Sequence, residues 1–486
     1  MLETNTINQR SNLERTNTGP DLAFGKCPGV QIDGKINSLP QLLLDGNRQN
    51  ILDYFNNSWA LTEVLFSGLA NETAFYRRPY HQLRHPMIFY YAHPVTVYVN
   101  KLRVAGLLDG PLNHDFEKLF EVGVDEMRWD DLHENNQDIW PALHEVTEYR
   151  QQGYELISNL IKSHPLLEPS FFPINQESPF WALVMGFEHE RIHLETSSVL
   201  MRELPIEFLR KPSAWPDSQD GGQNTIVEND LVHVPNSKVK LGKPNDFPTF
   251  GWDNEYGAES HEVAAFSASK YLITNGEYLK FVKASGYLFQ KYWSKEGWDW
   301  RGFRNNKFPN FWVQDGPAGL HNYKLRTIFE IIDMPLNWPV AVNYHEALAY
   351  CNWRTEQMGD GSTIRLLKEI EHQALRDENV VKANSGLISG SECDVDYFPP
   401  NSKGFHDVFG NLWQWCEDTF HPLNGFAPHP FYDDFSIPCF DGEHRMILGG
   451  SFISTGDEAS KWARFHFRPH FYQHAGFRIV KNDPNR

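Results

Sequence analysis

The sequence predicts an α+β protein of more than one domain, with an N-terminal four-helix bundle followed by an α+β domain. Three observations carry that expectation. The 486 residues exceed what one hydrophobic core ordinarily holds. Apolar residues recur at helical spacing in several long stretches up to Met201. Beyond about residue 228 that pattern gives way to short β-like runs, LVHVPNSKVKLG, MILGGSFIS and GFRIV, among aromatic, glycine-punctuated loops.

Taken in order, residues 1–35 are polar and aperiodic and read as a mobile arm. From Asn50, a candidate cap, Ile51, Phe55, Trp59, Val64 and Phe66 recur near the helical period. A second helix is predicted from Pro86, a favoured first-turn residue, and Pro94 must kink or interrupt it just after His93. Helical patterns over roughly 138–162 and 178–203 complete a bundle within 36–210. LRKPSAWPDSQDGGQNT is dense in Pro, Gly, Ser and Asp, and marks a linker over 211–228. The remainder, 229–486, reads as one α+β domain with helices near 274–285 and 344–357.

Composition excludes several partner classes. With 44 basic and 63 acidic side chains the formal charge is −19, which repels a phosphate backbone, so no nucleic-acid partner is expected. The five cysteines are scattered, without a C-x-x-C pair, and read as free thiols in a reducing compartment. The first residues lack an apolar signal core, and no stretch offers the roughly 18 uninterrupted apolar residues of a membrane span. A cytoplasmic protein without a membrane partner is the expectation.

The chemistry-bearing stretch is FEHERIH, where His189, Glu190 and His193 spell H-E-x-x-H. On a helix, positions i and i+4 share a face about 6 Å apart, so both imidazoles can reach one metal ion. Idle histidines and Glu190 on a helix as apolar as Phe180, Trp181, Leu183, Val184, Phe187 and Ile192 imply would be costly. In a zinc protease Glu190 would be the general base. The longer protease motif fails, with Thr196 where glycine and Val199 where histidine is required. A glutamate third ligand, from Glu195, Glu203 or Glu207, is not excluded by spacing. His93, on another helix, is the better third ligand; three histidines leave about half of a six-coordinate sphere open, as a non-haem iron needs, although three histidines also serve zinc. His81 and His85 compete less well and suit a loop or supporting role.

These residues resemble a known family. The bundle, with YYAHP and FEHERIH, resembles the DinB-like domain of the sulfoxide synthases that make thiol-histidines. YLITNGEYLKFVKASGY, VNYHEALAYCNW, HDVFGNLWQWCED, LGGSF and HAGFRIV resemble the formylglycine-generating-enzyme-like, C-type-lectin-like domain that follows it. The likeness spans roughly 40–483 and is greatest to the ovothiol-pathway branch, 5-histidylcysteine sulfoxide synthases, on segments such as NILDYFNNSWALTEVLF and GVDEMRWDDL. It implies iron(II) held by His93, His189 and His193, and coupling of L-cysteine sulfur to C5 of L-histidine with O2. In the ergothioneine branch, which acts on trimethylhistidine, a glutamine usually precedes the second histidine of the pair; here Ile192 stands there. That branch's arginine pair has no clear match, since only Arg128 lies in the corresponding region.

By the same resemblance the catalytic tyrosine falls in HPFYDDFS, at Tyr432. A phenol titrating near 10 can supply a proton or hydrogen atom during oxygen activation. His466 and Arg468, in RFHFRPHFYQHAGF, are candidate contacts to a substrate carboxylate or imidazole. Glu190 is expected to orient a histidine or form a salt bridge rather than act as a base. Formylglycine generation is disfavoured because no closely placed cysteine pair is present. A metal- or ligand-binding module without chemistry is the non-enzymatic alternative. Because the chain stops at Arg486, without a G-x-G-x-x-G unit, a lyase and a methyltransferase acting downstream are expected to be separate proteins.

Overall fold

A computed structural model describes residues 18–78, 84–121, 140–168, 171–219, 226–377 and 382–482. Six helices form the first half: α1 (Arg48–Phe66), α2 (Glu72–Tyr76), α3 (Met87–Val104), α4 (His114–Leu119), α5 (Leu143–Ser163) and α6 (Trp181–Glu203). The four long ones, α1, α3, α5 and α6, pack as a bundle. The cap of α1 is Asn47 rather than Asn50: the Asn47 side chain accepts the Gln49 and Asn50 amides, while Asn50 returns its own side-chain oxygen to the Asn47 amide. Asn50 is thus the reciprocal partner of a capping box. Helix α3 follows Pro86 and continues through Pro94 without interruption. The proline deprives the Tyr90 carbonyl of its usual amide partner, yet burial of nearly the whole helix holds it together.

Rings from three helices fill the bundle, Phe55 packing edge-on to Tyr98 at 5.9 Å and against Phe187 at 5.7 Å. Small residues let the helices close: a Cβ on Gly186 of α6 would lie 2.3 Å from the Tyr98 ring, and one on Gly153 of α5 would lie 2.4 Å from Val95. Beside these, Arg150 and Glu63 form a fully buried ion pair at 2.8 Å.

Two of the expected boundaries need correction. The stretch 18–35, expected as part of a mobile arm, is anchored at several points: the Thr18 hydroxyl donates to Glu63 at 2.7 Å, the Trp59 indole donates to Thr18, and Cys27 and Val30 join the bundle core. Its apolar residues are few, but a buried carboxylate needs the hydrogen bonds that Thr18 brings. The predicted linker is likewise not free over its first part. Trp215 is fully buried, and its indole donates to the Gly390 carbonyl at 3.1 Å.

The second half carries α7 (Asn275–Lys283), α8 (Lys295–Arg304), α9 (Tyr344–Met358) and α10 (Glu369–Leu375) around short strands. Strands β1 (Leu231–Val234), β4 (Phe266–Ser269), β8 (Thr363–Leu366) and β13 (Ile479–Asn482) form one sheet in the order β1-β4-β13-β8. The last strand therefore lies between two that precede it by more than a hundred residues and closes the domain. A second sheet, in the order β11-β10-β9-β12, is built from β9 (Trp413–Thr419), β10 (Arg445–Leu448), β11 (Phe465–Phe467) and β12 (Ala475–Gly476). β2 (Ser237–Leu241) pairs with β3 (Glu259–Val263), and β5 (Trp312–Gln314), β6 (Tyr323–Arg326) and β7 (Ile331–Asp333) make a small third sheet. Helices α8 and α10 lie in stretches the sequence left as loop; each is short and carries too little apolar periodicity to stand out. All five cysteines are free and buried, and among the described residues no helix is long and apolar enough to cross a membrane.

Candidate metal centre and the cavity above it

His93 comes from α3 and His189 and His193 from α6, and all three are buried. Their ring centroids lie 4.5 to 5.0 Å apart, and one nitrogen from each falls within 4.8 Å of the others. His93 Nδ1 sits 2.5 Å from the Phe120 carbonyl, so it carries the proton and leaves Nε2 as a bare lone pair. The Nε2 atoms of His189 and His193 face each other at 3.2 Å. Burial holds His93 down to about 4 and pushes His189 and His193 well below the usual imidazole range, with the neighbouring imidazoles adding to the effect. Three neutral imidazoles with converging lone pairs are a donor set for a cation. Their chemistry fits iron(II) or zinc.

The triad opens on a cavity of about 330 Å³ between the bundle and the second domain. The bundle contributes Val97, Asn100, Lys101 and Ile192 to its wall; the second domain contributes Tyr432, Asp434, Phe435, Phe465 and His466. Tyr432 lies with its ring centroid 6.2 Å from that of His189, and Lys101 Nζ stands 3.5 Å over the phenol ring. Burial, reinforced by the charges of Asp434, Cys439 and Glu121, pushes the Tyr432 phenol above its ordinary range, so it keeps its proton at neutral pH. Its loop is tied to the bundle, because His429 meets the Gln176 carbonyl at 3.0 Å and stacks with Trp181, while the Tyr432 amide donates to the His429 carbonyl.

The remaining predicted residues divide. His466 lines the same cavity. Arg468 does not: its guanidinium pairs with Glu443 at 2.6 Å and Asp441 at 3.1 Å, where two nearby carboxylates satisfy the fork that the sequence reading assigned to a substrate. Arg128, His81 and the GVDEMRWDDL segment lie outside the described residues. His85 packs its ring 4.3 Å from Phe89, which in turn stacks on His93 at 5.0 Å. Glu190, one residue past His189, is rotated out of the cavity: it accepts the Tyr98 hydroxyl at 2.9 Å and lies 3.9 Å from Arg150. A hydrolytic base beside the metal would have to face the other way.

Sequence reasoning missed the contacts that seat the second domain on α6. Glu195 accepts the Trp413 indole at 2.8 Å and the Ser451 and Ser454 hydroxyls at 2.6 Å each. Glu188 accepts the Asp457 amide at 2.8 Å, and Arg202 donates to Glu392 at 2.6 Å. The available signal was the excess of charged residues on a helix whose apolar residues already implied burial.

Two family models account for nearly all of this architecture. Residues 219–483 match the sulfatase-modifying factor enzyme 1-like domain, and residues 54–197 match the DinB superfamily. The chain belongs to the sulfatase-modifying factor enzyme 1-like family. In this family member the domain is preceded by a DinB-type bundle, the order also expected from the motifs. Ergothioneine biosynthesis protein 1 of Neurospora crassa is 23% identical, across 89% of this chain and 57% of its own length. Hercynine oxygenase of Mycobacterium tuberculosis is 29% identical over 41% of this chain and 48% of its own. The formylglycine-generating enzyme of Bos taurus is 22% identical over 49% of this chain and 69% of its own. This chain spans about half the length of the first two relatives.

Proposed function

We propose that the chain is a non-haem iron(II), O2-dependent oxidoreductase that joins the sulfur of L-cysteine to C5 of L-histidine and leaves a sulfoxide, as in ovothiol biosynthesis. The observation that carries this reading is the set of three neutral imidazoles converging beneath a cavity that both domains wall, with a protonated phenol on the opposite side. One oxygen atom goes to sulfur; the other leaves as water with the thiol hydrogen and the C5 hydrogen.

His93, His189 and His193 would hold the iron, which when bound supplies positions for the thiolate and O2 and the electrons that begin oxygen's reduction. The residues around it do the rest. Lys101 suits a substrate carboxylate, while Glu121 and Asp434, also at the cavity wall, suit the hydrogen-bonding ammonium of an unmethylated amino acid. A trimethylammonium group has no N–H to offer them. Ile192 packs against the substrate where the ergothioneine branch, by resemblance, carries glutamine. Tyr432 holds its proton at the phenol oxygen until reduced oxygen requires it. The second domain excludes water and fixes both substrates in one pocket, so positioning contributes much of the rate.

The names of the relatives favour a second reading, ergothioneine-type coupling to trimethylhistidine. The test is anaerobic reconstitution with Fe(II), then air, cysteine and either histidine or trimethylhistidine, with products read by mass spectrometry and NMR. A C5-linked histidylcysteine sulfoxide is the expected result. Product from trimethylhistidine alone would move the chain to the ergothioneine branch, and no oxygen uptake with either would refute the oxidoreductase.

A further inference from the structure

The cavity wall formed by the second domain holds another group of ligating atoms, in which His466, expected at a substrate, stands beside two residues that the proposed reaction does not use. Met446 of β10 sits opposite His466 of β11 in an antiparallel pair. His444 immediately precedes β10, on the side of Met446 that leads back toward Cys439 in the chain. The rings of His444 and His466 lie 5.2 Å apart. Cys439 joins them from the short turn Ile437–Cys439, whose end is fixed by the Cys439 amide donating to the Ser436 carbonyl. One atom from each of Cys439, His444 and His466 falls within 4.8 Å of the other two.

Supporting contacts prepare these side chains for a cation. His444 Nδ1 lies 3.1 Å from both oxygens of Asp441, so it carries the proton and turns Nε2 into a donor of electrons. Asp441 is itself fixed, accepting the amides of Glu443 and His444 at 2.8 and 3.0 Å and pairing with Arg468 at 3.1 Å. A carboxylate that orients a histidine in this way is the usual support of a metal ligand. His466 is clamped by stacking on Phe420 at 4.0 Å, and its buried Nδ1 has no hydrogen-bond partner among the described residues. Cys439 is buried and belongs to no disulfide. All three line the cavity, so a fourth ligand position opens into it.

We propose that Cys439, His444 and His466 form a second metal site, selective for a zinc-class divalent ion and distinct from the triad of His93, His189 and His193. One thiolate and two imidazoles with an open fourth position are the donor set of tetrahedral zinc, whereas the triad offers nitrogen alone. Binding displaces the thiol proton to solvent, and water or an anionic group of a cavity ligand fills the open position. Arg468, expected at a substrate, acts here through Asp441. The inference does not depend on which substrates the cavity takes.

The experiment uses the full chain, stripped with chelator and titrated with Co(II) as a spectroscopic stand-in for zinc, with bound zinc counted separately by elemental analysis. A thiolate-to-cobalt charge-transfer band is expected in the wild type and in His93→Ala, and is expected to vanish in Cys439→Ser. With Fe(II) supplied together with zinc, zinc content should fall by one equivalent in Cys439→Ser and stay at the wild-type level in His93→Ala. Asp441→Asn, which keeps every ligand, should weaken the band-forming ion by about 10- to 100-fold, and it decides the matter if Cys439→Ser loses its fold by circular dichroism. No charge-transfer band in the wild type, a band that survives Cys439→Ser, or an unchanged affinity in Asp441→Asn would overturn the proposal.

Discussion

Replacing Glu195 by Gln tests how the second domain is held on the bundle. Burial raises the Glu195 carboxyl to about 7 even though Ser451, Ser454 and Trp413 all donate to it. The folded protein therefore keeps this proton up to about pH 7, whereas the unfolded chain releases it above the ordinary value of 4.5. Between those values the native state binds more protons, so stability falls as pH rises and levels off above 7. The gap corresponds to about 3 kcal/mol at its fullest. Glutamine keeps the shape and cannot ionise, and the Ser454 hydroxyl can accept from the new amide as readily as it donated to the acid. Glu188, also raised to about 7 by burial, gives the same slope in both proteins and cancels in their difference. Urea denaturation followed by tryptophan fluorescence, at pH values from about 5 to 8, should show Glu195→Gln gaining on the wild type by about 3 kcal/mol across that range. A stability difference that does not change with pH would refute the reasoning.

Substituting His189 by Ala should lower bound iron at least about tenfold and abolish oxygen uptake while far-ultraviolet circular dichroism stays helical, since one of three nitrogen ligands is lost; elemental analysis checks it. Tyr432→Phe should keep iron and fold but slow carbon–sulfur coupling by about 100-fold, with a larger share of cysteine consumed by plain oxidation, read from product ratios. Glu190→Gln should change turnover only a few-fold, because the carboxylate faces Tyr98 and Arg150 rather than the cavity; loss of activity with iron retained would return Glu190 to the chemistry.

How much of this was legible depended on whether a feature is local. The pair His189 and His193 is a local pattern, one turn of helix, and His93 was marked by its neighbouring proline. The bundle helices were legible for the same reason, through apolar spacing. The place of Tyr432 at the cavity was reachable only through the motif around it, because nothing in HPFYDDFS distinguishes a cavity-lining phenol from an ordinary aromatic. The group of Cys439, His444 and His466 could not be read at all, since it exists only once β10 and β11 pair. Arg468 pairs with Asp441 and Glu443, a partner choice the sequence could not give because an arginine fork looks the same whether it meets a substrate or a carboxylate of its own chain.

The spacing along α6 shows why neither domain builds the site alone. Glu188, Glu195 and Arg202 follow one another at seven-residue intervals, so two helical turns bring each back to the same stripe, and the second domain clasps all three. His189 and His193 form the adjacent stripe, rotated by about 100° per residue, and face the cavity. Glu190 lies a further step round and is absorbed by the bundle. The helix thus assigns its three polar faces to three tasks, and the angle between the first two fixes where the Tyr432 loop arrives relative to the triad. A displacement of about 1 Å in reacting groups can cost about 100-fold in rate. Under the proposed function, the hydrogen bonds to Glu188 and Glu195 would act on the chemistry by setting the distance from the phenol to the three histidines.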